Sequence, residues 1–94
     1  MKVNLEKIAE SKSMLDKNES FKVMYFEFEE GKGLPNHRHD GNATIQVIDG
    51  AVDFKFVEGE EFLLEKSEFL AFDARKEHNV IARRKSKVLV TIGL

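Results

Sequence analysis

Histidine occurs three times in the 94-residue chain, at His37, His39 and His78. Imidazole is well suited to hold a divalent transition metal near neutral pH, through whichever ring nitrogen carries a lone pair. On extended backbone, residues two apart leave the same face, so His37 and His39 can aim both rings at one ion. His78 lies far along the chain and must come from another element, closing the site from across a barrel. Three imidazoles with open positions suit Zn, Fe, Cu, Ni or Mn, and such incomplete coordination is usual in catalytic centres. A His-x-His pair and one distant His also arise in proteins that bind no metal, so spacing alone leaves both readings open. The chain has no cysteine, which excludes a thiolate site and a disulfide framework.

The elements that position these rings read as strands. From Phe21 to Glu27 the pattern has period two, with Phe21, Val23 and Tyr25 on one face and Lys22, Met24, Phe26 and Phe28 on the other. Gly31-Lys32-Gly33 interrupts it. Thr44 to Ile48 and Val52 to Val57 flank Asp49-Gly50, a preferred two-residue hairpin turn. Glu58-Gly59 predicts a turn into Glu61 to Leu64. Phe69 to Phe72, Asn79 to Ala82 and Val88 to Ile92 complete about eight strands, with Arg84 to Ser86 turning a last hairpin. Met1 to Asn18 reads equally as a short helix capped by Asn4 or as an edge strand. The expectation is an all-β sandwich or barrel with less than about one fifth helix. Periodicity alone leaves a jelly roll and an immunoglobulin-like sandwich both open.

The size predicts a single domain over residues 1–94, with 1–20 as an N-terminal strand or short helix and 21–94 as the barrel. At 41% hydrophobic with eight Phe, the chain is too apolar for disorder. Met1 to Ser13 lacks the apolar stretch of a secretory signal, and the longest apolar run, Phe69 to Phe72, is far too short to span a membrane. With the lack of cysteine, this leads us to expect a cytoplasmic protein. A net charge of −2 gives no overall attraction to nucleic acid or membranes. The basic residues Arg75, Lys76, Arg83, Arg84, Lys85 and Lys87 have no interleaved aromatics and read as solvated turns. Small barrels leave edges and faces to cover, so a homodimer is expected.

The histidine region resembles the first motif of the cupin family, G-x5-H-x-H-x3/4-E-x6-G, with Gly31, His37, His39 and Gly50 at the expected spacing. Ser67 to His78 resembles the second motif, G-x5-P-x-G-x2-H-x3-N. There His78 holds its place, while Ser67, Asp73, Arg75 and Ala82 replace the two Gly, the Pro and the Asn. The likeness runs from about Phe21 to Ile92. It implies an all-β double-stranded β-helix, a jelly-roll barrel, with His37, His39 and His78 as ligands to a divalent Fe, Mn, Zn or Ni inside its mouth. It further implies a small organic molecule as substrate or ligand. A dioxygenase or isomerase is one outcome, and a non-catalytic binding or sensing barrel with weak or no metal is the other. The family's fourth ligand, usually Glu, maps to Ala43; the resemblance still allows a metal, because three-histidine cupins such as the acetylacetone and gentisate dioxygenases hold iron without it.

Tyr25, Phe54, Phe56 and Phe72 are expected chiefly as core, with Tyr25 placing its hydroxyl at the rim. Gln46 has the strand parity opposite to Ala43 and is expected outside. Asp40, Asn42 and Asn79 lie beside the histidines and are candidates to fix an imidazole tautomer.

Overall fold

The computed structural model describes residues 1–94. A 3-10 turn, Leu5–Lys7, precedes nine strands: β1 Lys12–Lys17, β2 Phe21–Phe28, β3 Gly33–His37, β4 Asn42–Asp49, β5 Ala51–Phe56, β6 Glu61–Glu65, β7 Phe69–Asp73, β8 His78–Ala82 and β9 Ser86–Gly93. They form a five-stranded sheet, β1-β2-β9-β4-β7, and a four-stranded sheet, β3-β8-β5-β6. Every pairing is antiparallel. The chain passes from one sheet to the other between β2 and β3, β3 and β4, β4 and β5, β6 and β7, β7 and β8, and β8 and β9. This alternation is the double-stranded β-helix, and it rules out the immunoglobulin-like alternative. No helix is long and apolar enough to cross a membrane.

Period-two alternation fills the space between the sheets. Met24, Phe26 and Phe28 of β2, Ala43, Ile45 and Val47 of β4, and Val88, Val90 and Ile92 of β9 face Val52 and Phe54 of β5 and Val80 and Ala82 of β8 in one buried cluster. Phe54 is its aromatic centre, 1% exposed and 4.6 Å centroid to centroid from Phe72. Burying rings of this size supplies much of the stability available to so small a domain.

Two connections differ from the hairpins read in the sequence. β4 pairs with β7 and β9, and β5 with β6 and β8, so Asp49-Gly50 turns a corner between sheets. Gly50 has φ 88°, and a Cβ there would run into Ser86 and the Lys85 carbonyl. β8 and β9 likewise lie in different sheets, and the Arg84–Ser86 segment joins them. The Ser86 hydroxyl bonds the amide and carbonyl of Ala51 at this corner, at 3.0 and 3.1 Å. Local turn chemistry selects a reversal, and partner choice is decided by which apolar face each strand must bury. Glu58-Gly59 does close a true hairpin, β5 with β6.

Tyr25 points away from the core, on the outer face of the five-stranded sheet. It is fully buried there and its hydroxyl has no hydrogen-bond partner, so it does not reach the rim. Burial pushes its phenol up from the ordinary value, with Glu27 adding to the effect. Half of the basic cluster is paired with carboxylates: Arg75 with Asp73, Arg83 with Asp53, and Lys85 with Glu27.

Candidate metal centre

β3 is an edge strand whose only neighbour is β8, and their register sets His37 directly opposite His78. The third histidine thus comes from the adjacent strand and not from across the barrel. His37 is the last residue of β3 and His39 lies beyond it, in the loop before β4. That loop is held by Ala74, whose carbonyl accepts the His39 amide at 2.8 Å and whose amide donates to the Gly41 carbonyl at 2.9 Å. Ala74 is itself fully buried, so the His39 backbone is tied to the core.

The three rings meet. Centroids are 4.3 Å apart for His37 and His78, 5.3 Å for His37 and His39, and 6.4 Å for His39 and His78. His37 Nδ1 lies 2.7 Å from the Pro35 carbonyl oxygen, and His78 Nδ1 lies 2.7 Å from that of Lys76. A carbonyl oxygen only accepts, so each Nδ1 carries the proton and each neutral ring keeps its lone pair on Nε2. Backbone carbonyls are common partners for the second nitrogen of a metal-bound histidine. Asp40, Asn42 and Asn79 do not take this role. Asn79 instead donates its side-chain amide to Asn36 Oδ1 at 2.8 Å. In both cases the carbonyl belongs to the residue two before the histidine, a backbone feature that residue types do not reveal.

Around the rings the wall is apolar: Leu34, Ile45, Phe54, Phe72, Val80 and Val90. The space they enclose with the imidazoles admits about 10 Å³ of water-sized sphere, about what one water requires. His78 is 2% exposed, stacked on Phe54 at 5.3 Å and edge-on to Phe72 at 4.9 Å. On the outside, His39 lines an open hollow of about 670 Å³ with Lys22, Arg38, Asp40 and Asn42. Ala43 is buried in the core, opposite Phe72 and Ile92 in register, and Gln46 is exposed.

An ion bound at about 2.0–2.1 Å sets facing imidazole centroids roughly 4.5–5.3 Å apart at tetrahedral to octahedral angles. Two of the three separations lie close to that range, and the His39–His78 separation is about 1 Å too wide. As the side chains stand, no group of three or more His, Cys, Asp or Glu is arranged to hold an ion. The residues fit a metal in donor type and tautomer, and fall short in the placement of the His39 ring.

Burial holds the His78 imidazole below the ordinary 6.5, opposed by its bond to the Lys76 carbonyl and reinforced by the neighbouring histidines. His39 is lowered too, by burial first, then by His37 and Lys22. Between 6.5 and the lowered folded values the unfolded chain binds more protons. Stability of the metal-free protein therefore falls as pH falls through that interval and levels off below it. Thermal unfolding should show a lower Tm at pH 5.5 than at 7.5, with part of the difference removed in His78→Gln. An identical pH response in the variant would mean that His78 is not held neutral by its surroundings.

The Cupin domain family matches the chain over residues 24–92. No curated protein matches it significantly. Among solved structures, the chain is similar to an RmlC-like cupin protein from Desulfovibrio desulfuricans, 27% identical with a TM-score of 0.88, over 99% of this chain and 95% of that one. It is similar to a cupin superfamily protein from Desulfitobacterium hafniense, 17% identical with a TM-score of 0.83, over 88% of this chain and 75% of that one. A cupin domain from Bordetella pertussis, 21% identical with a TM-score of 0.72, is covered to 91% by 88% of this chain. With strand order, motif spacing and family match in agreement, the chain belongs to the cupin family.

Proposed function

We propose that His37, His39 and His78 hold one divalent metal ion, and that the protein binds or acts on a small organic molecule beside it. The observation that carries this reading is the pair of Nδ1–H bonds to the Pro35 and Lys76 carbonyls, which leave Nε2 of both rings free to coordinate. His39 lies in the loop past the end of β3, and holding the ion requires its ring to stand about 1 Å closer to His78 than it does. The enclosed space has room for an ion or a water and for nothing larger, so an organic molecule would lie in the outer hollow beside His39. There Lys22 and Arg38 supply positive charge and Asp40 negative charge. A metal at this position would supply Lewis acidity to a bound oxygen atom. The chain's own part is to keep Nε2 neutral, to exclude water with the Leu34, Phe54 and Phe72 wall, and to hold the His39 loop through Ala74.

A second reading, a binding or sensing barrel with weak or no metal, is favoured by Ala43 at the usual carboxylate position and by the wide His39–His78 separation. Calorimetric titration of untagged, chelator-treated protein with Zn(II), Mn(II) and Fe(II) separates the two. The first reading expects one ion per chain, and affinity at least 100-fold lower in His37→Ala and in His39→Ala. It also expects binding to weaken as pH falls and the imidazoles protonate. Equal affinity in wild type and both variants would place any ion elsewhere, and no binding by the wild type would leave the second reading.

A further inference from the structure

The inner face of the five-stranded sheet is apolar except at one position. Its side chains run in rows across the strands. Phe26, Val88 and Val47 make one row, and Met24, Val90, Ile45 and Leu70 the next. The row at the end that carries the histidines reads Lys22, Ile92, Ala43, Phe72. No other residue of the three rows is charged. Lys22 is half-buried, and its partner in register on β1 is Lys17, which adds repulsion and no counter-ion. No ion pair in the molecule includes Lys22, whereas Lys55, Arg75, Arg83 and Lys85 are each paired. A cation in an apolar row, opposite a like charge and without a carboxylate, breaks the pattern that the rest of the sheet keeps. Such breaks fall at functional or strained sites.

Lys22 lines the hollow beside His39, where Ile92 supplies apolar surface and Asp40 a negative charge. The second cation of that hollow is less committed to it. Arg38 also borders a neighbouring hollow lined by Glu58, Glu60 and Glu77, so three carboxylates there compete for its charge. We propose that Lys22 selects the molecule taken up beside His39, and that this molecule is a small organic carboxylate, with its anionic end on the Lys22 ammonium and its apolar part against Ile92. It rests on that hollow being where the organic molecule lies. A carboxylate suits the place better than a phosphate. One committed ammonium matches one negative charge, Asp40 repels a second, and Ile92 offers surface that an inorganic ion cannot use. The rival account is a lysine whose stem covers Ile92 while its head reaches water.

Nuclear magnetic resonance titration of the chelator-treated protein, followed at the amides of Gly41, Asn42 and Gly93, reads ligand binding with no metal present. Benzoate should bind there, and benzamide, which has the same shape and no charge, should bind about ten-fold or more weakly. Inorganic phosphate should bind no better than benzamide. Lys22→Met removes the charge opposite Lys17, so it should fold at least as stably as the wild type and bind benzoate no better than benzamide. Lys22→Arg keeps a cation and should keep the preference for benzoate. Lys55→Met, on the outer face of the other sheet, should behave as the wild type. A wild type with no preference for benzoate over benzamide would overturn the proposal. So would a Lys22→Met variant that keeps the preference, which would leave the lysine as cover for Ile92. Phosphate bound as tightly as benzoate would replace the carboxylate with an unselective anion site. Titration with Zn(II) decides the metal centre separately. Zinc held through the histidines by a protein indifferent to benzoate would sink this inference alone. Benzoate held through Lys22 by a protein that binds no metal would sink the metal reading alone.

Discussion

Ala43→Glu is expected to raise the affinity for Zn(II) or Mn(II) by about ten-fold or more, since even groups that only touch the ligands change it 10–100-fold. Ala43 is 4% exposed and faces the core from β4. Ile45, two residues on and on the same face, and Phe72, its partner in register, both line the space enclosed by the imidazoles. A carboxylate at 43 can extend over Phe72 toward that space and add a charged oxygen to the imidazole donors. Without metal the same carboxylate is buried among apolar groups with no partner, and the fold should lose several kcal/mol. A ten-fold gain in affinity returns about 1.4 kcal/mol at saturating metal, so the Tm of the variant should respond to added metal far more than the wild type's. Thermal unfolding with and without Zn(II), together with direct titration, measures both effects. A variant whose affinity and metal-dependent Tm equal those of the wild type would show that position 43 does not reach the ion.

Gly33→Ala should destabilise the fold by about 3 kcal/mol or more. A Cβ at Gly33 would overlap the Val80 carbonyl oxygen and press on the Ile81 Cα. The atoms met are all backbone of β8, so nothing can rotate away. β3 must lift off β8, and the register that sets His37 opposite His78 is lost with it. The variant should therefore lose metal affinity as well as stability. Gly31→Ala provides the contrast. Gly31 has φ 80° and open space around it, so its substitution strains one residue by about 1–2 kcal/mol and leaves the strand pairing alone. Chemical denaturation of both variants, with metal titration of each at a temperature where it is folded, gives the comparison. Equal losses would mean that the β3–β8 contact is looser than it stands in the structure.

Strands β2 and β4 through β9 were legible because the residues each turns to the core alternate with those it turns outward. Asp49-Gly50 and Arg84–Ser86 were misread as hairpin turns for a physical reason. The glycine conformation and the polar turn residues that favour a reversal serve equally well at a corner where the chain changes sheets. Which of the two forms depends on non-local burial, such as the fit of Val88 and Val90 between the inner faces of β2 and β4. Among the candidate site residues, spacing identified three histidines that do meet. It could not show that His39 lies past the end of its strand, nor that the tautomers of His37 and His78 are set by carbonyls. Those are properties of backbone direction, and any residue at 35 or 76 supplies the same oxygen. Tyr25 was legible as buried by its type, but its side of the sheet depended on register.

β9 is the last strand in the chain and the central one in its sheet, bonded to β2 on one side and to β4 on the other. As a ribosome lengthens the chain, β2 and β4 emerge early with apolar inner faces and no strand to lie between them. The core cannot close until residues 86–93 are available, so folding waits on β9 and does not advance strand by strand behind β2 and β4. Over that interval Phe26, Phe28, Ile45 and Val47 are exposed together, and the nascent barrel is open to chaperones and to other unfinished chains.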